Sequence, residues 1–203
     1  MLSGLFFGTA FATILTPGPN MMYVATRGAE RGVAAGLLAA LAVVTGGVCY
    51  SVTTAIGLSA VMATHPGVID IIKGCGIVYL VYLGIRLLLR SRDRTVMPAA
   101  APSGNQAFRG GLLISLTNPQ LALFFLAFLP QFVSAGDQHV ALRLLELGLT
   151  FNCCSMLVMS TVAVGSGVAG NRVANVRFRQ VMRGVAGLAF LALAVRSTVS
   201  LLH

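Results

Sequence analysis

Thr16-Pro17-Gly18-Pro19-Asn20 interrupts an apolar run that covers residues 2–24. Two prolines one residue apart cannot both sit inside a regular helix. Each lacks a donor N–H, and each ring collides with the carbonyl one turn earlier. Gly18 loosens the backbone between them. The helix must break there and release carbonyls. In hydrocarbon an unpaired backbone group costs several kcal/mol, so irregular backbone is tolerated only against protein or a water-filled cavity. Broken helices at membrane depth recur in secondary transporters, where half-helix ends and freed carbonyls hold substrate or coupling ions.

Composition supports a membrane setting. Of 203 residues, 57% are hydrophobic and 9% charged, with a mean hydropathy of +0.88. A soluble domain carries about 25% charged residues. The net charge of +9 does not mark a nucleic-acid partner. The basic residues lie in short gaps between apolar runs, with no basic domain to carry phosphate contacts.

Six apolar runs approach the length of about 20 residues that a bilayer core requires. They cover residues 2–24, 33–62, 68–89, 108–133, 140–169 and 181–202. The expected fold is all-α: a polytopic, multi-pass membrane protein with six transmembrane helices in a single transporter domain over residues 1–203. Residues 90–106, with Pro98, Pro102, Ser103 and Gly104, read as a linker between two halves. The first, third and fifth gaps hold Arg27 and Arg31, then Arg90, Arg92, Arg94 and Arg109, then Arg172, Arg177, Arg179 and Arg183. Those gaps are expected in the cytoplasm, with both termini outside.

The halves resemble each other. Thr16-Pro17 pairs with Asn118-Pro119, the two prolines lying 102 positions apart. Lys73-Gly74 and Arg86 pair with Arg183-Gly184 and Arg196, both at an offset of 110. A three-helix unit enters the membrane from opposite sides in its two copies. The expected architecture is therefore two inverted three-helix repeats, about residues 1–89 and 107–203, with a substrate site at their interface. Asn118-Pro119-Gln120 is the second break. Pro119 cannot donate to the Ser115 carbonyl, so that oxygen is expected to lose its regular partner.

These residues carry a family resemblance. Thr16-Pro17-Gly18-Pro19-Asn20, Tyr79-Leu80-Val81-Tyr82-Leu83-Gly84-Ile85-Arg86, and Asn118-Pro119 followed by Phe124-Phe125-Leu126-Ala127-Phe128-Leu129-Pro130-Gln131-Phe132 resemble the LysE/RhtB family of amino-acid exporters. The resemblance spans nearly the whole chain. It implies a bacterial inner-membrane exporter of amino acids or close derivatives, and a substrate-path role for Pro17, Gly18, Pro19, Asn20, Asn118 and Pro119. Family members often carry lysine where this chain has Gln120. Many carry an acidic residue in the second helix, where this chain reads Thr45-Gly46-Gly47-Val48-Cys49-Tyr50. With no buried acid to pair a second positive charge, a neutral or zwitterionic substrate is expected. Gln120 joins the candidate substrate-binding residues.

Glu146 is the one carboxylate close to being intramembrane. It is either a proton-coupling group or an interfacial partner of Arg143, and the second reading is preferred. Asn152 and Ser155 lie deeper in the same run; path lining and helix–helix hydrogen bonding explain them equally. Glycines such as Gly46, Gly47, Gly74 and Gly165 read as close-packing positions. Cys49, Cys75, Cys153 and Cys154 have neither metal nor C-x-x-C spacing, so no cofactor, metal or enzymatic chemistry is expected. A membrane thiol–disulfide carrier and a passive channel are the alternative functions. The expected partners are an amino-acid substrate and membrane lipid; a homo-oligomer is compatible with the chain.

Overall fold

A computed structural model describes residues 4–64, 71, 74, 75, 77, 78, 81, 82, 85, 105–133, 137, 139–169, 188, 191 and 195. The runs expected at 68–89 and 181–202, and the linker as far as residue 104, fall largely outside the described residues. Six α-helices are described: α1 (Gly4–Leu15), α2 (Pro19–Arg31), α3 (Val33–Thr64), α4 (Asn105–Leu116), α5 (Pro119–Leu123) and α6 (Val140–Ala169). A π-turn (Phe124–Phe128) and a 3-10 turn (Leu129–Phe132) extend α5. There is no strand among the described residues.

Two stretches of 29 residues, Val33–Val61 and Val140–Val168, are long and apolar enough to cross a bilayer. Helix α4 and the stretch Pro119–Phe132, which is α5 with the turns that extend it, form a third apolar length, bent by 49° at its break. The fifth expected run coincides with α6. The second runs two residues further than expected.

Two further boundaries differ from expectation. Helix α4 opens at Asn105, so the last two residues of the expected 90–106 linker are helical. Helix α2 continues past Val24 to Arg31, which places Arg27 inside a helix and not in a gap. Residues 20–31 contain no proline. The stop comes at Gly32, whose φ of +85° few other residues adopt. Arg27 is 3% exposed. Its guanidinium stacks 4.9 Å from the Tyr23 ring centroid and lies 3.9 Å from the Glu30 carboxylate. The Tyr23 hydroxyl in turn donates to the Ala107 carbonyl, which ties α2 to α4.

The core of the bundle is the antiparallel pair α3 and α6. Lipid tails are as apolar as leucine, so helices in a bilayer associate through close packing and hydrogen bonds. Small residues permit it here. A β-carbon on Gly36 would lie 2.9 Å from the Ala163 side chain, and one on Gly148 would lie 2.5 Å from Ser51 Oγ. One on Gly47 would collide with Asn152 Oδ1. Gly74 and Gly165, expected at packing positions, have no neighbour among the described residues close enough to restrict them. As residue numbers rise along α3 they fall along α6, so the two helices run in opposite directions.

Aromatic packing closes one side of the bundle. Phe124 lies 4.3 Å from Phe151 and 4.6 Å from Phe128, centroid to centroid. Phe6 of α1 meets the Phe132 ring edge-on at 5.4 Å. Such pairs are worth about 0.5–1.5 kcal/mol each beyond the area they bury. Pro130 accounts for the π-turn upstream. It cannot donate to the Leu126 carbonyl, and the Leu129 N–H bonds back five residues to Phe124.

Candidate functional site: two helix breaks around one cavity

The first break closes α1 on Thr16. Its N–H donates to the Ala12 and Thr13 carbonyls (3.2 and 3.3 Å), and its hydroxyl to Ala12 (2.7 Å). Gly18 is extended (φ −123°, ψ −175°), and Pro19 opens α2. Proline suits that position because the N–H it lacks would be unpaired anyway. No side chain caps the N-terminus of α2. Its first N–H groups and the positive end of its dipole remain available.

The second break is self-contained. Asn118 Oδ1 accepts from the Gln120 N–H at 3.0 Å and caps α5. The Ser115 carbonyl, expected to lose its partner at Pro119, instead accepts from the Asn118 N–H at 3.1 Å. A one-residue tightening of the last turn replaces the lost bond. The Leu116 carbonyl accepts from the Tyr50 hydroxyl at 2.6 Å. Ser115 therefore offers no bare carbonyl to a ligand.

The two breaks meet. Gln120 reaches from the second to the first, with its Nε2 3.5 Å from the Thr13 carbonyl. Between them lies a cavity of about 40 Å³, room for about three waters. Its polar wall includes Thr16, Gly18, Asn20, Asn118 and Gln120. Opposite stand Gly47 of α3 and Asn152 and Ser155 of α6. Met21, Val43, Leu121, Phe151 and Met159 give it an apolar side. No charged side chain lines it among the described residues.

Of the residues expected at the site, Gly18, Asn20, Asn118 and Gln120 share this cavity. Pro17, Pro19 and Pro119 do not line it; Pro19 and Pro119 are exposed. Glu146 lies elsewhere, half exposed, with its carboxylate 3.1 Å from Arg143 on the same helix. Asn152 both lines the cavity and bonds between helices, donating to Ser51 Oγ at 2.8 Å and to the Gly148 carbonyl at 2.9 Å. No sequence signal separates those two roles, because the partner Ser51 lies on a different apolar run.

Asn20 is 9% exposed, and its Oδ1 is buried with no hydrogen-bond partner among the described residues. A buried acceptor left unpaired costs about 1–3 kcal/mol. The cysteines take no part. Cys49, Cys75 and Cys153 are exposed, Cys154 is buried, and none lines the cavity. No cluster of three metal-ligating side chains occurs among the described residues.

The chain is 36% identical over 153 residues to an uncharacterized membrane protein of Pseudomonas aeruginosa, covering 72% of this chain and 71% of that one. It is 29% identical over 191 residues to a leucine efflux protein of Salmonella choleraesuis, covering 92% and 90% of the two chains. A leucine efflux protein of Klebsiella pneumoniae matches at 29% over 187 residues, 90% and 88% covered. No solved structure matches. The description LysE type translocator matches residues 11–200, and the chain belongs to that family of membrane transporters.

Proposed function

We propose that this protein exports neutral, zwitterionic amino acids across the bacterial inner membrane by alternating access. The carrying observation is that two helix breaks, one from each half of the chain, line one cavity. A carboxylate suits the uncapped N-terminus of α2, where free N–H groups and the helix dipole favour an anion. The apolar side, with Met21, Leu121, Phe151 and Met159, suits an aliphatic side chain. The absence of a carboxylate among the described lining residues argues against a second positive charge on the substrate. Leucine efflux relatives fit the same substrate class. The cavity holds only a few waters, so an amino acid needs it to widen. Substrate entry requires one side to open.

The antiparallel packing of α3 and α6 supports the six-span reading. Two helices that run oppositely must be separated by an even number of crossings, which the runs at 68–89 and 108–133 supply. The halves also match in detail. Gly47 and Ser51 of α3 are each 101 positions from Gly148 and Asn152 of α6. Each glycine receives the polar side chain of the opposite helix. A two-fold axis in the membrane plane would exchange these pairs, as an inverted repeat requires.

The test is counterflow in proteoliposomes with a panel of amino acids. Accumulation of L-leucine and similar neutral substrates, with little exchange of lysine, is expected. Uphill movement under an imposed proton gradient or membrane potential separates a coupled exporter from a channel. Absence of exchange for every amino acid would overturn the reading.

A further inference from the structure

We propose that Asn152 is the acceptor for the substrate ammonium and that Ser51 is the residue that positions it. This assignment rests on the amino-acid exporter reading of the cavity.

The orientation of the Asn152 amide is dictated by its neighbours. The Gly148 carbonyl can only accept a hydrogen bond. The Ser51 hydroxyl has one proton, and it is given to the Gly47 carbonyl at 3.0 Å. Ser51 Oγ therefore also faces Asn152 as an acceptor. Two acceptors on the same side require the Asn152 NH2 group there, 2.8 Å from Ser51 Oγ and 2.9 Å from the Gly148 oxygen. Flipping the amide would set oxygen against oxygen at both contacts. The Asn152 Oδ1 is thus fixed on the other side, toward Gly47, and both residues line the cavity. Only a glycine at position 47 leaves room for that oxygen.

The result is a preset acceptor in a wall without charges. An ammonium entering the cavity must replace its water shell with oxygen atoms. Asn152 Oδ1 supplies one at no cost of reorganisation. Asn20, whose Oδ1 is buried and unpartnered among the described residues, lines the same cavity and supplies a second. Neutral amide oxygens satisfy one ammonium without leaving an uncompensated anion when the site is empty, unlike a carboxylate. The arrangement also replaces the Ser115 carbonyl, which is already bonded, as the source of acceptors at the site.

The test compares L-leucine with 4-methylpentanoate, which keeps the carboxylate and side chain but lacks the amine. Each competes against labelled L-leucine in counterflow by proteoliposomes of the full-length protein. Wild type should prefer leucine. Asn152→Ala should weaken leucine about 10- to 100-fold, as for one hydrogen bond to a charged group, and leave 4-methylpentanoate nearly unchanged. Ser51→Ala, which frees the amide to rotate, should reduce the discrimination several-fold and serves if Asn152→Ala does not fold. An equal loss for both compounds, or unchanged discrimination in variants that still bind leucine, would overturn the assignment while leaving the exporter reading intact. A wild-type protein that carries no amino acid would overturn the exporter reading and this assignment with it.

Discussion

Gln120 and Gly18 hold the two helix breaks together: a β-carbon on Gly18 would lie 2.9 Å from Gln120 Oε1. Gly18 is extended, a backbone state open to any residue, so a side chain there is opposed by the movable end of Gln120 and not by the torsion angles. Gly18→Ala should push the Gln120 side chain off the first break and lower the leucine exchange rate several-fold. Gln120→Ala should remove the obstacle. The double variant should then lose less than the two single effects combined, with a coupling of about 0.5–3 kcal/mol. Strictly additive losses in counterflow would mean that the two side chains do not interact during transport.

Topology is open to a direct measurement. Single cysteines at Ser91 and Ser134, in an otherwise cysteine-free protein, should react with a membrane-impermeant reagent from opposite faces. Ser91 lies in the arginine-rich third gap and Ser134 in the basic-poor fourth. The antiparallel packing of α3 and α6 fits the same alternation. Labelling of both positions from one face would eliminate the inverted repeat.

That cysteine-free background should itself export normally. Cys153 and Cys154 are adjacent on α6 and project in different directions, since helical neighbours face each other only at three and four residues. Cys49 and Cys153 are exposed, and no cysteine lines the cavity. Replacing all four by serine or alanine should leave leucine exchange within about twofold of wild type: the exposed positions cost about 0.5 kcal/mol or less, and Cys154, though buried, does not line the cavity. Loss of transport by an abundant, folded variant would favour the thiol–disulfide carrier.

Glu146 tests the route of coupling. Its pair with Arg143 leaves both side chains about half exposed, away from the cavity. Exposed pairs of this kind contribute about 0–1 kcal/mol. Glu146→Gln should therefore spare exchange and leave proton-driven uphill transport close to wild type. Retained exchange with abolished uphill transport would make Glu146 the proton carrier.

The parts of the fold that follow from local chemistry were legible in the sequence. Helix α6 matches its apolar run end to end, and both breaks occur where proline removes a donor. Arg27 was not legible, because a charge between apolar runs reads as a gap. The Tyr23 ring and the Glu30 carboxylate, one turn to either side, help it to be buried inside α2. The π-turn at Phe124–Phe128 has a cause, Pro130, but prolines also produce many kinks of other geometry. The fixed amide of Asn152 depends on Ser51, 101 residues away, and no local pattern links them.

The breaks themselves are the strongest test of the site. Replacing Pro17, Gly18 and Pro19 with alanine or leucine would let α1 run directly into α2. Regular helix would carry intrahelical bonding through residues 15–19 and pair the N–H groups that now open α2. The cavity would lose its anion-binding end and the gap that admits Gln120. Membrane insertion needs only apolar length, so abundance should persist while leucine affinity falls by tenfold or more, a loss of about 1.4 kcal/mol or greater. Asn118→Ala with Pro119→Ala should act in the same direction but less strongly, since the second break already satisfies its own groups through Asn118 and Tyr50. Leucine affinity of the purified variants decides the matter. Wild-type affinity in the protein with the first break repaired would reduce both breaks to kinks and move the substrate site elsewhere.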